Sequence, residues 1–168
     1  MSAFRLQVSD LIGRVGASRT AEFTADLEIA MDMAVLTGPV SVNVRLDVTS
    51  QDIIAAGTVD YRAVLTCHRC LNANEGGGRA RFSQVYRFRG SSDDVDIMEV
   101  DANGFIDLFP PVNDEVGLSL PLAPICREDC AGLCPTCGND LNTEPCGGHE
   151  ELSSSPFAVL EHLLDPQE

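Results

Sequence analysis

The sequence predicts an α+β protein: an antiparallel β-sheet domain with short helices and a cysteine-rich, zinc-binding segment near the C-terminus. Two observations support this fold class. Residues 40–89 contain three stretches that alternate apolar and polar side chains, and residues 126–149 contain five cysteines and a histidine in 24 positions. We expect an α+β body over residues 1–125, the cysteine-rich segment over 126–149 folded against it, and a C-terminal helix and tail over 150–168.

The three alternating stretches are typical of consecutive antiparallel strands. Residues 40–49, VSVNVRLDVT, place apolar side chains on one face and polar side chains on the other. After a turn at 50–52 the chain returns as IIAAGTVDYRAVLTC, so Cys67 falls in the apolar phase at the end of this strand. LNANEGGG is predicted to be a loop, and residues 79–89 form the third strand. Strands joined in this order make a meander.

The flanking segments are less regular. FRLQV near the N-terminus is compatible with an edge strand. A helix is expected between residues 107 and 120. Pro110 and Pro111 could open such a helix, because proline is tolerated in the first helical turn, but they would interrupt one already running. Ser155 and Pro156 have the pattern of an N-cap and first helical position, which predicts a C-terminal helix. Its apolar stripe would be Phe157, Leu160 and Leu164.

The charge is divided unequally along the 168 residues, which carry a net charge of −15 and no lysine. Residues 1–90 contain ten arginines against nine acidic residues, whereas residues 91–168 contain one arginine against seventeen. A surface of one sign attracts partners of the other, although solubility alone explains an acidic surface equally well. No run reaches the ~18 apolar residues of a membrane helix, and no signal core begins the chain. We therefore expect a soluble, cytoplasmic protein with no membrane partner.

The cysteines and one histidine fall into four pairs, which supply eight ligands for two tetrahedral zinc sites. A pair with two intervening residues cannot complete a tetrahedron, so CHRC at 67–70 needs two further sulfurs. The next pair along the chain provides them. The predicted first site is Cys67, Cys70, Cys126 and Cys130, and the predicted second site is Cys134, Cys137, Cys146 and His149.

Other arrangements of these residues are open. CHRC could instead join Cys134 and Cys137, or one zinc could occupy the long cluster while CHRC remains as free thiols. An odd number of cysteines in a reducing compartment argues against a disulfide framework. Thiol redox chemistry needs a helix after the pair, which LNANEGGG does not form, and c-type haem attachment needs a histidine where Leu71 stands. An iron–sulfur cluster would use the same thiolates.

The sequence resembles the YceD family, the large ribosomal RNA subunit accumulation proteins, over nearly the whole chain. The resemblance lies in CHRCL, in FIDLFPPVNDEVGLSLPLAPICREDCAGLCPTCGNDLN and in PFAVLEHLL. Family members with all the cysteines typically end the cluster with a cysteine where Gly148 stands here, and His149 follows one place later. The resemblance implies a role in producing large-subunit ribosomal RNA, with no established catalysis. It also implies a gene that often neighbours that of a small zinc-binding large-subunit ribosomal protein.

These observations predict a non-enzymatic accessory factor in ribosome assembly whose partner is a basic large-subunit ribosomal protein or an rRNA precursor, with no small-molecule substrate. RNA binding would use arginines on the polar side of the predicted strands, which are otherwise ordinary solvated positions. They are Arg45, Arg62, Arg79, Arg81, Arg87 and Arg89. The acidic remainder repels phosphate and favours the protein partner. The alternative is a zinc-dependent hydrolase or nuclease acting on RNA, which requires an open position on one zinc.

Overall fold

The structure is a computed structural model of the chain, and it describes residues 3–88 and 98–149. These residues form nine strands and a single helix, so the described part of the protein is mostly antiparallel sheet. The α+β prediction with several short helices is correct only in part. The elements are β1 (Arg5–Gln7), β2 (Ser18–Ala25), β3 (Ala30–Met31), β4 (Ala34–Leu36), β5 (Val40–Val48), β6 (Asp52–Thr66), β7 (Ala73–Arg87), β8 (Met98–Glu99), β9 (Phe105–Asp107) and α1 (Phe109–Ser119).

The main sheet is built around β6, which pairs with two strands along one edge and with one strand along the other. One edge pairs with β5 over its first half and with β4 over its second half, while the other edge pairs with β7 along its full length. β2 extends the sheet beyond β5, β3 extends it beyond β4, and β8 runs parallel to the end of β7. The predicted meander of three consecutive strands, β5 to β7, is therefore confirmed.

Alternation along β5 explains which face of the sheet is covered. Its five apolar residues are buried and its polar residues point to the opposite face. The buried set is Val40, Val42, Val44, Leu46 and Val48, each at most 5% exposed. Side chains alternate between faces along a strand, so this pattern commits one face of the sheet to the core.

The covering layer comes from α1 and from the small sheet of β1 and β9. The helix begins at Phe109 with the predicted prolines in its first turn, and it packs mainly against β7. Val112 and Val116 are fully buried, and burying each contributes about 2 kcal/mol. The Tyr86 hydroxyl donates a 2.6 Å hydrogen bond to the Asp107 carbonyl, which ties β7 to the end of β9. No helix in the described ranges has the length and apolar character needed to cross a membrane.

The third strand begins six residues earlier than predicted, because the glycine-rich stretch is part of β7 and not a loop. Gly76, Gly77 and Gly78 pair in register with residues 61–63 of β6. A Cβ at Gly78 would lie 2.6 Å from the Tyr61 hydroxyl, and one at Gly77 would lie 2.4 Å from the Tyr61 carbonyl. The glycines therefore admit the close approach of Tyr61 and are compatible with a strand. The predicted C-terminal helix lies outside the described residues, and the domain boundaries stay predictions.

Replacing Gly57 tests how closely β5 and β6 approach one another. A Cβ at this position would lie 2.2 Å from the Asn43 carbonyl oxygen and 2.9 Å from the Val44 Cα, both backbone atoms of β5. Because backbone cannot rotate away, we expect Gly57→Ala to lower the free energy of unfolding by about 2 kcal/mol or more in urea titrations. Gly117→Ala is the control, since nothing lies within 4 Å of that Cβ. It should raise stability by about 0.5 kcal/mol as a helix substitution. Wild-type stability of Gly57→Ala would contradict the packing described here.

Candidate metal centre

Cys67 and Cys70 lie at the tip of the long hairpin formed by β6 and β7. Cys67 is fully buried and Cys70 is 4% exposed. The turn between the strands is closed by the Cys67 N–H, which donates to the Asn72 carbonyl at 2.9 Å, and by the Leu71 N–H, which donates to the Cys67 carbonyl at 2.9 Å. Leu71 has a φ of 60°, in the left-handed region. The first cysteine pair therefore occupies a tight turn whose shape is set by the hairpin.

The pair Cys134 and Cys137 forms a second turn with the same backbone pattern. The Cys134 N–H donates to the Asn139 carbonyl at 2.8 Å, and the Gly138 N–H donates to the Cys134 carbonyl at 2.9 Å. Gly138, which follows the second cysteine as Leu71 does in the first turn, has a φ of 75°. The two turns are thus equivalent in backbone hydrogen bonding, although one lies in a hairpin and the other in the cysteine-rich segment. Glycine adopts this conformation without the steric cost that leucine carries.

The cysteine-rich segment crosses the hairpin tip and is held there by backbone hydrogen bonds. The His68 N–H donates to the Pro124 carbonyl at 2.7 Å, and the Leu133 N–H donates to the Arg69 carbonyl at 3.0 Å. One guanidinium nitrogen of Arg69 also donates to the carbonyls of Glu128 and Cys130, each at 3.1 Å. Arg69 is therefore occupied in positioning the loop that carries Cys130.

The first group consists of Cys67, Cys70, Cys126 and Cys130, whose sulfur atoms all lie within 4.8 Å of one another. The Sγ atoms of Cys67 and Cys130 are 3.9 Å apart, and those of Cys70 and Cys126 are 3.8 Å apart. Zinc bound at ~2.3 Å to four sulfurs of a regular tetrahedron separates them by about 3.8 Å. Three of the four cysteines are buried. The geometry therefore fits one tetrahedral ion enclosed by protein.

The second group consists of Cys134, Cys137, Cys146 and His149, whose ligand atoms also lie within 4.8 Å of one another. Cys146 Sγ is 3.6 Å from Cys134 Sγ and 3.8 Å from Cys137 Sγ. It is only 2.8 Å from His149 Nε2. A tetrahedral zinc would separate sulfur and nitrogen ligands by about 3.5 Å, so the imidazole would have to move outward slightly. Cys137 and His149 are exposed.

One cysteine in each group has a lowered pKa, which favours the thiolate form that binds a metal. A hydrogen bond from the Cys70 N–H lowers the pKa of Cys67 to about 6, and bonds from the N–H groups of Cys137 and Thr136 lower the pKa of Cys134 to about 6. Donors directed at a sulfur stabilise its charged form. Burial and the neighbouring thiols raise the pKa of Cys126 to about 12. Ionisation of several neighbouring thiols is therefore unfavourable, because the thiolates repel one another, and a cation at their centre would offset that repulsion.

A polar bridge that the sequence analysis missed connects the hairpin to the cysteine-rich segment. The Asn142 side-chain amide donates to Cys130 Sγ at 3.5 Å and to Asp140 at 2.6 Å. Asp140 also accepts a 3.0 Å hydrogen bond from Asn72, beside the hairpin tip. Hydrogen bonds to metal-binding sulfurs orient them. The only sequence signal was the run of short polar side chains in GNDLN, which on its own predicts a turn.

Residues 55–164 match the profile of the family described as "Large ribosomal RNA subunit accumulation protein YceD". The chain belongs to the YceD family. It is 36% identical over 146 residues to an uncharacterized protein of Mycobacterium leprae, covering 82% of this chain and 66% of the relative. It is 35% identical over 143 residues to an uncharacterized protein of Mycobacterium tuberculosis, covering 83% of this chain and 67% of the relative. The chain thus spans about two thirds of these relatives, and no solved structure matches it.

The arginines proposed for RNA binding by this YceD-family chain lie on the outward face of the main sheet, except Arg89, which is outside the described residues. Three of them are neutralised by nearby carboxylates. Arg79 donates hydrogen bonds to Asp60 and holds the pKa of that carboxyl below its usual range. The other pairs are Arg45 with Asp47 and Arg87 with Asp52. Within the described ranges no carboxylate pairs with Arg62 or Arg81. The outward face therefore has a smaller positive potential than the sequence suggests.

Replacing Cys67 and Cys70 by serine tests the first group. We expect the variant to lose one metal ion per chain, measured by native mass spectrometry, and to lose several kcal/mol of stability, because metal binding contributes directly to folding. Cys137→Ser is the comparison variant: it should also lose one ion, with a smaller loss of stability. The first group closes the chain between residues 67 and 130 and the second only between 134 and 149, a difference of about 1 kcal/mol in loop entropy. Full metal content and stability in the serine variant would contradict the assignment.

The difference in exposure predicts that the two groups release metal at different rates. An excess of chelator should remove metal in two phases, the faster one from the group containing exposed Cys137 and His149. Release can be followed with a colorimetric indicator, and Cys137→Ser should abolish the fast phase alone. A single phase that carries both ions would show that exposure does not control release.

Proposed function

We propose that this chain is a non-enzymatic accessory factor that supports accumulation of large-subunit ribosomal RNA by binding a basic large-subunit ribosomal protein. Two structural zinc ions would hold its fold, and the cytoplasm is the expected compartment. Membership of the YceD family, whose description names large ribosomal RNA subunit accumulation, supports the process. The four-donor composition of each group, S₄ and S₃N, supports zinc in a structural role, since structural zinc is closed by four protein ligands.

The choice of a basic protein as the partner depends on which charged side chains are paired and which are unpaired. On the outward face, the described arginines mostly neutralise neighbouring aspartates. By contrast, residues 98–149 contain nine acidic residues and one arginine. Most of these carboxylates are exposed, and no charged residue in the described ranges is buried. An anionic surface favours a cationic protein and repels the phosphates of RNA.

A titration of the full-length protein separates the two partners. We expect micromolar or tighter binding to cationic large-subunit ribosomal proteins, weakening steeply as salt rises from 50 to 300 mM, because exposed charges are screened. Binding to large-subunit rRNA fragments should be at least ~10-fold weaker under the same salt conditions.

The charge-reversal variant Arg62→Glu with Arg81→Glu is the control for RNA binding, because it disrupts none of the ion pairs described above. It should leave protein binding intact. Preferential rRNA binding that this variant abolishes would refute the proposed partner. A ribonuclease activity that needs the metal of the second group would instead establish the hydrolase alternative.

In cells, depletion of the protein should lower the ratio of large-subunit to small-subunit rRNA, and crosslinking should recover ribosomal proteins from large-subunit precursors. Quantitative RNA measurement and mass spectrometry provide these two results. An unchanged rRNA ratio, with no precursor particles recovered, would remove the proposed role in ribosome assembly.

A further inference from the structure

An apolar surface lies where the segment of residues 26–36 meets the end of α1. Leu118 is 81% exposed and Leu122 is 86% exposed. Between them and residues 29–31 lies an open groove of about 750 Å³, lined also by Gly117 and Leu120. We call these groove-lining residues the Leu118 surface. Contiguous exposed apolar side chains on a folded domain are typical of an interaction site.

Two smaller hollows continue this surface around the same segment. One of about 570 Å³ includes Val35 and Leu36, and one of about 240 Å³ lies between Met33 and Leu122. β3, which contributes Ala30 and Met31 to the groove, ends the main sheet at this edge. The apolar area is therefore long enough to accept more than one side chain of a partner.

The charged residues around the Leu118 surface are all acidic. Exposed carboxylates line the groove and the two hollows, and no arginine lines them in the described ranges. The carboxylates are Asp26, Glu28, Asp32 and Asp114. The C-terminal end of α1, which carries partial negative charge and has no basic residue in its last turn, points to the same region. The rim therefore has a uniformly negative potential.

We propose that the Leu118 surface binds a cationic amphipathic segment of a partner protein, in which two or three apolar side chains are flanked by arginine or lysine. This occupant complements both features of the site, the apolar floor and the acidic rim. The inference rests on the proposed function, because a basic ribosomal protein is the class of partner that would supply such a segment.

Charge argues against the two other occupants that the chain itself could offer. Residues 150–168 include apolar residues, but they also contain five acidic residues and no arginine. A second copy of the chain would bring a net charge of −15 to the same acidic rim. Like charges brought together at an interface cost free energy, so both occupants are disfavoured relative to a cationic segment.

The probe for this site is a synthetic fluorescein-labelled peptide with two leucines flanked by four arginines. Anisotropy titrations with the full-length protein should show binding, and a peptide with serine in place of leucine, of identical charge, should bind at least ~10-fold more weakly. The double variant Leu118→Ser with Leu122→Ser should reduce affinity for the leucine peptide by a similar factor. Both leucines are exposed, so these substitutions leave the fold intact. Val15→Ser, at a position that is 67% exposed and outside the groove, is the matched control and should have no effect.

Glu28→Gln with Asp114→Asn tests the acidic rim. This variant should weaken binding of the arginine peptide at low salt and lose its effect at high salt, because screening removes the charge contribution. Glu128→Gln is the matched control on an exposed acidic residue that does not line the groove. Chemical-shift changes in residues 29–31 and 117–122 should locate the bound peptide.

Several outcomes would overturn the proposal. Equal binding of the leucine and serine peptides, or no effect of the Leu118 and Leu122 substitutions, would reject the surface as a docking site. Dissociation of a dimer by those substitutions would assign it to a second copy. Increased peptide binding after Phe157→Ser with Leu160→Ser would assign it to the chain's own C-terminal residues. Peptide binding without any association with ribosomal proteins would support the docking site but reject the proposed function. Association with ribosomal proteins without peptide binding would reject only the docking site.

Discussion

Convergence of Cys67, Cys70, Cys126 and Cys130 at one point joins the tip of the β6–β7 hairpin to the cysteine-rich segment, which otherwise contacts the tip mainly through hydrogen bonds. The buried cluster at the tip of the hairpin of β6 and β7 consists of cysteines alone among the described residues. The segment from residue 126 to 149 forms no helix or extended strand, and its own backbone hydrogen bonds lie in tight turns. A metal ion held by the four sulfurs would replace the hydrophobic core that this end of the molecule lacks, as in other small metal-stabilised modules.

The same constraint places the second group. Its turn at Cys134 follows directly from the residues that cross the hairpin, and Asn142 contacts Cys130 from the far side of that turn. The polar bridge of Asn72, Asp140 and Asn142 thereby connects the hairpin and Cys130 to the loop between Cys137 and Cys146. The second group is more exposed to solvent than the first. We therefore expect the fold to depend mainly on the first group.

Much of this arrangement could be predicted from the sequence, since local patterns determine it. The strands β5 and β6 can be recognised from the alternation of apolar and polar residues alone. The proline pair marks the start of α1. The missed features depend on tertiary contacts. Gly76 to Gly78 resemble a loop until Tyr61 is seen to pack against them, and Asn142 is an ordinary turn residue until the hairpin places a sulfur beside it. Likewise, the arginines of the outward face have the expected orientation. Arg79 and Arg87, however, pair with aspartates on the neighbouring strand β6, and the alternation within one strand does not reveal a partner on another strand.

The pairing of the cysteines is tested most directly by establishing which of them share a metal ion. Substitution with ¹¹³Cd, followed by a ¹¹³Cd–¹H correlation spectrum, connects each ion to the β-protons of its cysteine ligands. We expect Cys67, Cys70, Cys126 and Cys130 all to correlate with a single cadmium resonance, distinct from that of Cys134, Cys137 and Cys146. Correlation of Cys67 and Cys70 with the same cadmium as Cys134 and Cys137, or with no cadmium at all, would contradict it.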